Sequence, residues 1–354
     1  MESLDRITGK KPVVGLAGFF GYGNYGDELF VTVYKQWLSP YFDLVFLSDV
    51  LDKPYYSRPI EEIVDSVDAI IIGGGDIVQP WGMDDRYFNK LFLKKPVFII
   101  GVGVPIRSAS SRNPNHIEKE WIIDKYRNFF SHPSVKMIHA RDDQSSNWIR
   151  RKLNPKVAVT EAPDIVCSMD LPSAIDSVSE VKTLGVVTRS RPNQEDDYSE
   201  ILKVADKCLS MGWNVRHIIL GTGRVGKKDY ENADKLRIKK ELVYSESLSE
   251  LTEAIGGCSA LLSMKFHGTV VATMYGIPSI VMVPTNKNRN FMNRIGRSDL
   301  LSKFDSPDLL QKFGDAPETI SSDSVEMLRD RAGQIMELLV FRLMKSLNFE
   351  FVQR

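Results

Sequence analysis

Residues 12–38 read PVVGLAGFFGYGNYGDELFVTVYKQWL. A short apolar run rich in valine ends in a glycine loop, and the loop opens into a helix-like segment over residues 27–38. Strand, tight turn and helix in that order begin a βαβ unit. The rhythm repeats along the chain. Further apolar runs lie at 44–47, 69–72, 97–102 and 136–139, then at 183–187, 214–220, 260–263 and 279–283. Each is bounded by Gly, Pro or Asp, as expected for strands buried on both faces of a parallel sheet. Helix-like segments at 117–130, 145–153, 198–212, 247–256 and 269–275 fall between them. This alternation predicts α/β architecture with right-handed crossovers.

At roughly 100–200 residues per domain, 354 residues predict two domains. The stretch 167–181, CSMDLPSAIDSVSEV, is short of large apolar residues and breaks the alternation. The expected division is an N-terminal Rossmann-like domain over 1–168 and a C-terminal one over 182–310. A helical segment over 311–354 follows. Both domains are expected to be doubly wound and to face one another across a cleft. Residues 302–323 read as loop and short turns, and 324–347 as a long amphipathic helix, for which a return onto the first domain is one course.

Hydrophobic residues make up 43% of the chain and aromatic residues 10%, enough to fill two cores. Lys and Arg number 46, as do Asp and Glu, so the formal net charge is zero. That argues against a nucleic-acid coat or a basic membrane-surface protein. Cys167, Cys208 and Cys258 are widely spaced, without a CxxC or Cys/His cluster, so no metal site is expected. The N-terminal residues carry no apolar signal segment, and no run approaches the ~20 residues needed to span a bilayer. The expectation is a cytoplasmic protein without a transmembrane segment, able to meet a lipid-linked substrate at a membrane face. Oligomeric state is not readable.

Within the first loop, Gly21, Gly23 and Gly26 match the dinucleotide pattern GxGxxG. Asp27 and Glu28, however, occupy the first turn of the helix, where a pyrophosphate would sit, and they would repel it. A tight turn with an acidic cap is the plain alternative. The functional alternative is a loop approaching a neutral, hydroxyl-rich ligand. Gly23 and Gly26 would let the backbone come close, Asn24 would hydrogen-bond hydroxyls, and Asp27 or Glu28 would take a hydroxyl proton. A second loop, IIIGGGDIVQPW (70–81), brings Gly74, Asp76 and Trp81 to another strand end, and IIGVGVP (99–105) is a third. Trp81 suits either stacking on a sugar face or packing. Three such loops in one half point to a crevice at the carboxyl edge of the sheet.

The stretch SMKFHGTVVATMYGIPSIVMVPTNKNRN (263–290) concentrates cations at strand ends. Lys265 and His267 precede a helix start, a combination suited to anions. A satisfied structural histidine is the safer reading of His267 by itself; Lys265 and Lys287 beside it favour function. Arg289 follows in the same loop, where many arginines are simply solvated. Arg189 and Arg191 close the first strand of the second half, and Arg141 closes a strand of the first. There Asp142 can cap the next helix with Ser145, leaving Arg141 free. This many cations at strand ends of a neutral protein suggest a small substrate with phosphate and carboxylate groups. GxSxG, HExxH and P-loop patterns are absent.

Together these residues resemble the polysaccharide pyruvyl transferase family. The marks are GNYGDE (23–28), IIIGGGD (70–76), Arg141–Ser145 with its Arg-Asp-xx-Ser spacing, Pro163-Asp164, and SMKFHG (263–268) followed by Lys287. The family's usual Ser-Met-Arg-Phe/Leu-His carries lysine here, at Lys265. The resemblance covers most of 13–296. It implies two Rossmann-like domains of the GT-B type and transfer of the pyruvyl group of phosphoenolpyruvate onto two sugar hydroxyls as a cyclic ketal. It further implies that Arg141, His267 and Lys287 are central to the donor site. On this reading His267 is the general acid, with Asp27 or Glu28 on the hydroxyl side. Lys265, Lys287, Arg141, Arg189 and Arg289 bind the donor. Gly23, Asn24, Gly26, Gly74, Asp76 and Trp81 serve the acceptor, a sugar that is free of or attached to a nucleotide or lipid carrier. Phosphoenolpyruvate is a substrate, and no separate cofactor is expected. A GT-B glycosyltransferase using a nucleotide sugar, and a non-catalytic glycan-binding or assembly protein, are the competing readings. A nicotinamide oxidoreductase is a weaker one.

Overall fold

The computed structural model describes residues 10–106, 116–173, 181–191 and 197–348. Residues 174–180, within the expected boundary stretch 167–181, lie outside the described residues. The chain divides into two compact units. The first holds Met1–Phe20, Phe30–Ile165 and Ala332–Arg354, and the second holds Gly21–Leu29 and Val166–Arg331.

The first unit is built on a parallel sheet of β1 (Val13–Ala17), β2 (Asp43–Phe46), β3 (Ala69–Gly75), β4 (Val97–Val102), β5 (Val135–Ala140) and β6 (Val159–Glu161). Its order is β2-β1-β3-β4-β5-β6. Every residue of β3 (AIIIGGG) and β4 (VFIIGV) is buried, which is why these strands read as continuous apolar runs. Helices α1 (Tyr25–Leu38), α2 (Ile60–Asp65), α3 (Glu120–Phe130) and α4 (Asp143–Trp148) join them. Phe88 packs edge-on against Tyr126 and Phe129 and tilted against Phe130, all three on the buried side of α3. His139 in β5 is a satisfied structural histidine: Nδ1 accepts from the Gly101 amide, and Nε2 lies 3.3 Å from the Ala162 carbonyl.

The second unit holds β7 (Thr183–Val187), β8 (Asn214–Ile218), β9 (Glu241–Val243), β10 (Ala260–Ser263) and β11 (Ser279–Val281). Their order is β11-β10-β7-β8-β9, all parallel. Chain order reverses between β7 and β10, the place where doubly wound sheets bind ligands beyond their carboxyl ends. The helices are α5 (Ser199–Ser210), α6 (Gly223–Tyr230), α7 (Leu248–Gly256), α8 (Phe266–Met274), α9 (Asn286–Arg294), α10 (Leu309–Phe313) and α11 (Ser322–Ser346).

The division differs from the sequence expectation in two places. Residues 21–29, expected in the N-terminal domain, belong to the second unit. The terminal helix α11 counts with the second unit up to Arg331 and with the first from Ala332. Its Arg342 donates to the Lys136 carbonyl at 2.8 Å, and Gly333 lies against the Trp37 ring. Within 302–323, read as loop, residues 309–313 form α10. No helix among the described residues is long and apolar enough to cross a membrane.

Fully buried His217 in β8 lies 2.9 Å from the Thr188 hydroxyl at the end of β7. Burial, with Lys240 nearby, pushes its pKa down to about 4. The unfolded histidine takes a proton below about 6.5, and the folded one only below about 4. Between these values the unfolded chain binds more protons, so stability falls as pH drops through this window, by about 3 kcal/mol in total. Urea unfolding from pH 7 to 4 should show this slope, and His217→Gln should flatten it. An unchanged slope in the variant would assign the acid sensitivity to other groups.

Candidate functional site

The residues of interest in the second unit gather at the reversal between β7 and β10. The β10–α8 turn is pinned by Ser263, whose hydroxyl accepts from the Lys265 amide at 3.2 Å and donates to the Lys265 carbonyl at 2.7 Å. Lys265 caps α8 in extended geometry, which puts His267 in the helix's first turn. There the aligned peptide dipoles favour negative charge. Most of α8 is buried, while His267 is half-buried and reaches the surface.

The acidic turn of α1 belongs to the same unit. The Thr222 amide donates to the Gly23 carbonyl at 2.8 Å, Asn24 forms an isolated antiparallel bridge with Gly221, and the Tyr25 hydroxyl meets the Thr252 hydroxyl at 2.7 Å. These bonds tie the GNYGDE segment to the loop after β8 and to α7. Gly23 has φ of 80°, and a Cβ there would stand 1.9 Å from the Thr222 carbonyl oxygen. Gly26 is required by contact with the histidine: a Cβ on it would lie 1.8 Å from His267 Nδ1. The imidazole therefore sits on bare backbone.

The two carboxylates of this turn differ. Glu28 Oε1 accepts from the amides of Gly21 at 2.8 Å and Gly23 at 3.0 Å. It thus engages the amides of the glycine pattern that a dinucleotide phosphate would use. Asp27 is buried and accepts from the Asn24 side chain at 2.5 Å. Its field reaches Lys265.

Lys265 is not an open cation. Its ammonium forms an ion pair with the buried Asp229 and a hydrogen bond to the Leu220 carbonyl. Burial lowers its pKa, Asp229 opposes that shift, and nearby Arg189 adds to it. Arg189 itself is exposed at the exit of β7. Lys287 Nζ lies 5.5 Å from the centre of the Phe266 ring, and that ring is 4.9 Å from the His267 ring. Lys287 was read as a loop residue, but it lies in the first turn of α9. Arg289 is exposed on α9, and no side-chain contact among the described residues ties it to this group. Arg191 turns instead onto the Phe304 ring, 4.3 Å away.

In the first unit, Gly74 (φ 93°) lies at the end of β3 and Asp76 directly follows the strand, at the reversal between β1 and β3. Asp142 caps α4 through the Ser145 amide at 2.7 Å, as the spacing suggests. This does not leave Arg141 free. The arginine is buried and ion-paired with Asp76 and, at 3.5 Å, with Asp164. Trp81 is half-buried and stacks on His116, with ring centres 4.7 Å apart. No group of three or more His, Cys, Asp or Glu suited to a metal occurs among the described residues.

Sequence reasoning missed Asp229, Thr222 and Thr252. Thr222 carried a usable signal, since Gly221-Thr222-Gly223 is another glycine pair at a strand end. Asp229 and Thr252 carried none, because their partners lie far off in sequence.

In overall fold the chain is similar to the MnaA–UDP co-structure of S. aureus, at 10% identity and a TM-score of 0.60 over 97% of this chain and 99% of that one. It is similar also to UDP-N-acetylglucosamine 2-epimerase from Rickettsia bellii, at 11% identity and 0.57 over 96% and 98%. The wall teichoic acid polymerase TagF matches at 10% identity and 0.51 over 97% and 90%. These are GT-B fold enzymes, and the likeness establishes the fold. No curated protein sequence matches the chain. The family model for polysaccharide pyruvyl transferase matches residues 24–286, which include the α1 turn, His267 and most of the strands of both units. The chain belongs to the polysaccharide pyruvyl transferase family.

Proposed function

We propose that this chain transfers the pyruvyl group of phosphoenolpyruvate onto two hydroxyls of a sugar, in a polysaccharide or its precursor, as a cyclic ketal. The observation that carries the reading is the placement of His267. It lies in the first turn of α8, with its ring against the Gly26 backbone and Asp27 next in the chain.

The chemistry asks for a proton donor, an anion site and a proton acceptor. A protonated His267 gives its proton to C3 of the enol, leaving a cationic centre at C2. An imidazole is suited to this because its ordinary pKa lies near neutrality. One sugar hydroxyl adds to C2 and loses its proton to a base. The C2–O bond to phosphate then breaks, phosphate departs with the electron pair, and the second hydroxyl adds with loss of its proton. The products are the ketal and inorganic phosphate. The α8 N-terminus, Lys287 and Arg189 supply positive charge for the carboxylate and phosphate. Asp27 is the better base of the two acids, because Glu28 already receives two loop amides. Arg141 is proposed as a donor ligand on the family resemblance alone, its guanidinium being bracketed by Asp76 and Asp164.

Three outcomes test the reading. Phosphoenolpyruvate at 100 times its dissociation constant should stabilise the protein by about 2.7 kcal/mol, read as a thermal shift of a few degrees. A shift with UDP and none with phosphoenolpyruvate would move the reading to glycosyl transfer. His267→Ala should lower ketal formation by at least 10²-fold in a folded protein; near-normal turnover would remove His267 from the mechanism. Gly26→Ala should cost kcat on a similar scale while leaving the melting temperature within a few degrees, since the new methyl displaces the imidazole. Full activity in that variant would show that the ring's seat on Gly26 has no part in catalysis.

A further inference from the structure

Resting on the proposed reaction, we infer that Lys265 is a positioning residue that acts through Asp229, and that it does not bind the donor. The geometry supports this from both partners. The Lys265 ammonium is mostly buried and contacts Asp229 and the Leu220 carbonyl. Asp229 is itself buried in α6, and its other oxygen accepts from the Ser190 amide at 2.7 Å. One ion pair thus fastens the exits of three strands: β7 through Ser190, β8 through Leu220, and β10 through Lys265 itself. These are the two strands of the reversal and the neighbour of one of them. His267 lies two residues beyond Lys265, so the pair fixes the start of the helix that carries it.

Charge balance leads to the same conclusion. A buried ammonium paired with a buried carboxylate presents almost no net charge to an incoming anion. Removing either partner leaves the other buried and uncompensated, which is strongly unfavourable. Donor charge is then met by Arg189, which is exposed, and by Lys287, which is half-exposed on α9.

A double-mutant cycle of Lys265→Met and Asp229→Asn, with Lys265→Arg as the conservative variant, separates the roles. Each single change should lower kcat by tenfold or more, with the KM for phosphoenolpyruvate moving less than threefold. The double variant should be no worse than the poorer single one, and Lys265→Arg should retain most activity. The ring resonances of His267, followed by NMR, should shift in both single variants. A donor-binding Lys265 would show the opposite: a large rise in KM for Lys265→Met, additive behaviour with Asp229→Asn, and an unmoved His267 signal. That result overturns the inference. The NMR signature and coupling in thermal stability need no turnover. They therefore read the Lys265–Asp229 pair even if the wild-type protein forms no ketal, an outcome that would sink the proposed reaction instead.

Discussion

The backbone hydrogen bond from Thr222 to Gly23 decides which parts of this chain can act together. With the Asn24–Gly221 bridge and the Tyr25–Thr252 hydroxyl pair, it holds the first turn of α1 in the second unit, while the remainder of the helix belongs to the first. The acidic residues of that turn therefore share a unit with His267. Glycine at 23 and 26 follows from this arrangement. One position must pass the Thr222 carbonyl, and the other must leave room for an imidazole. A glycine pattern that suggests a phosphate cradle is here explained by close backbone approach to protein groups, including the carboxylate of Glu28.

Burial of charge is the second organising constraint. Buried cations need partners, and the structure gives each one carboxylates: Lys265 takes Asp229, while Arg141 takes Asp76 and Asp164. Sequence position at a strand end marks where such residues emerge, but not whether a carboxylate is waiting. Lys287 and Arg189 appear equivalent to Lys265 in the sequence. They differ in the fold by exposure: Arg189 is exposed and Lys287 half-exposed, whereas the Lys265 ammonium is mostly buried against Asp229.

Much of the fold was legible because parallel strands buried on both faces leave continuous apolar runs. β3, β4, β7 and β10 were read this way, at or near their observed bounds. β6 and β9 were not, because three residues at a sheet edge, partly exposed, make neither a run nor an alternation. α9 was read as loop because NKNRNFMNR is polar throughout most of its length, although it still buries Asn288, Phe291 and Met292. At the site, local features could be read: the cap of α4 by Asp142, and the place of His267 between a strand end and a helix. The helix itself starts at Phe266, three residues before the expected 269, so that His267 lies inside its first turn. What could not be read is the pairing of residues tens of positions apart, such as Lys265 with Asp229 or Gly26 with His267. Those pairings depend on strand order, and strand order is not written in any local pattern.

The lysine at position 265 is intelligible in these terms. An arginine presents a planar fork suited to a carboxylate or phosphate held by two bonds, whereas a lysine presents a compact charge on a flexible stem. Here the nitrogen meets one carboxylate and one backbone carbonyl that belong to different elements, α6 and the exit of β8. Such partners suit a point charge as well as a fork. The substitution therefore fits a residue that joins the exit of β8 to α6.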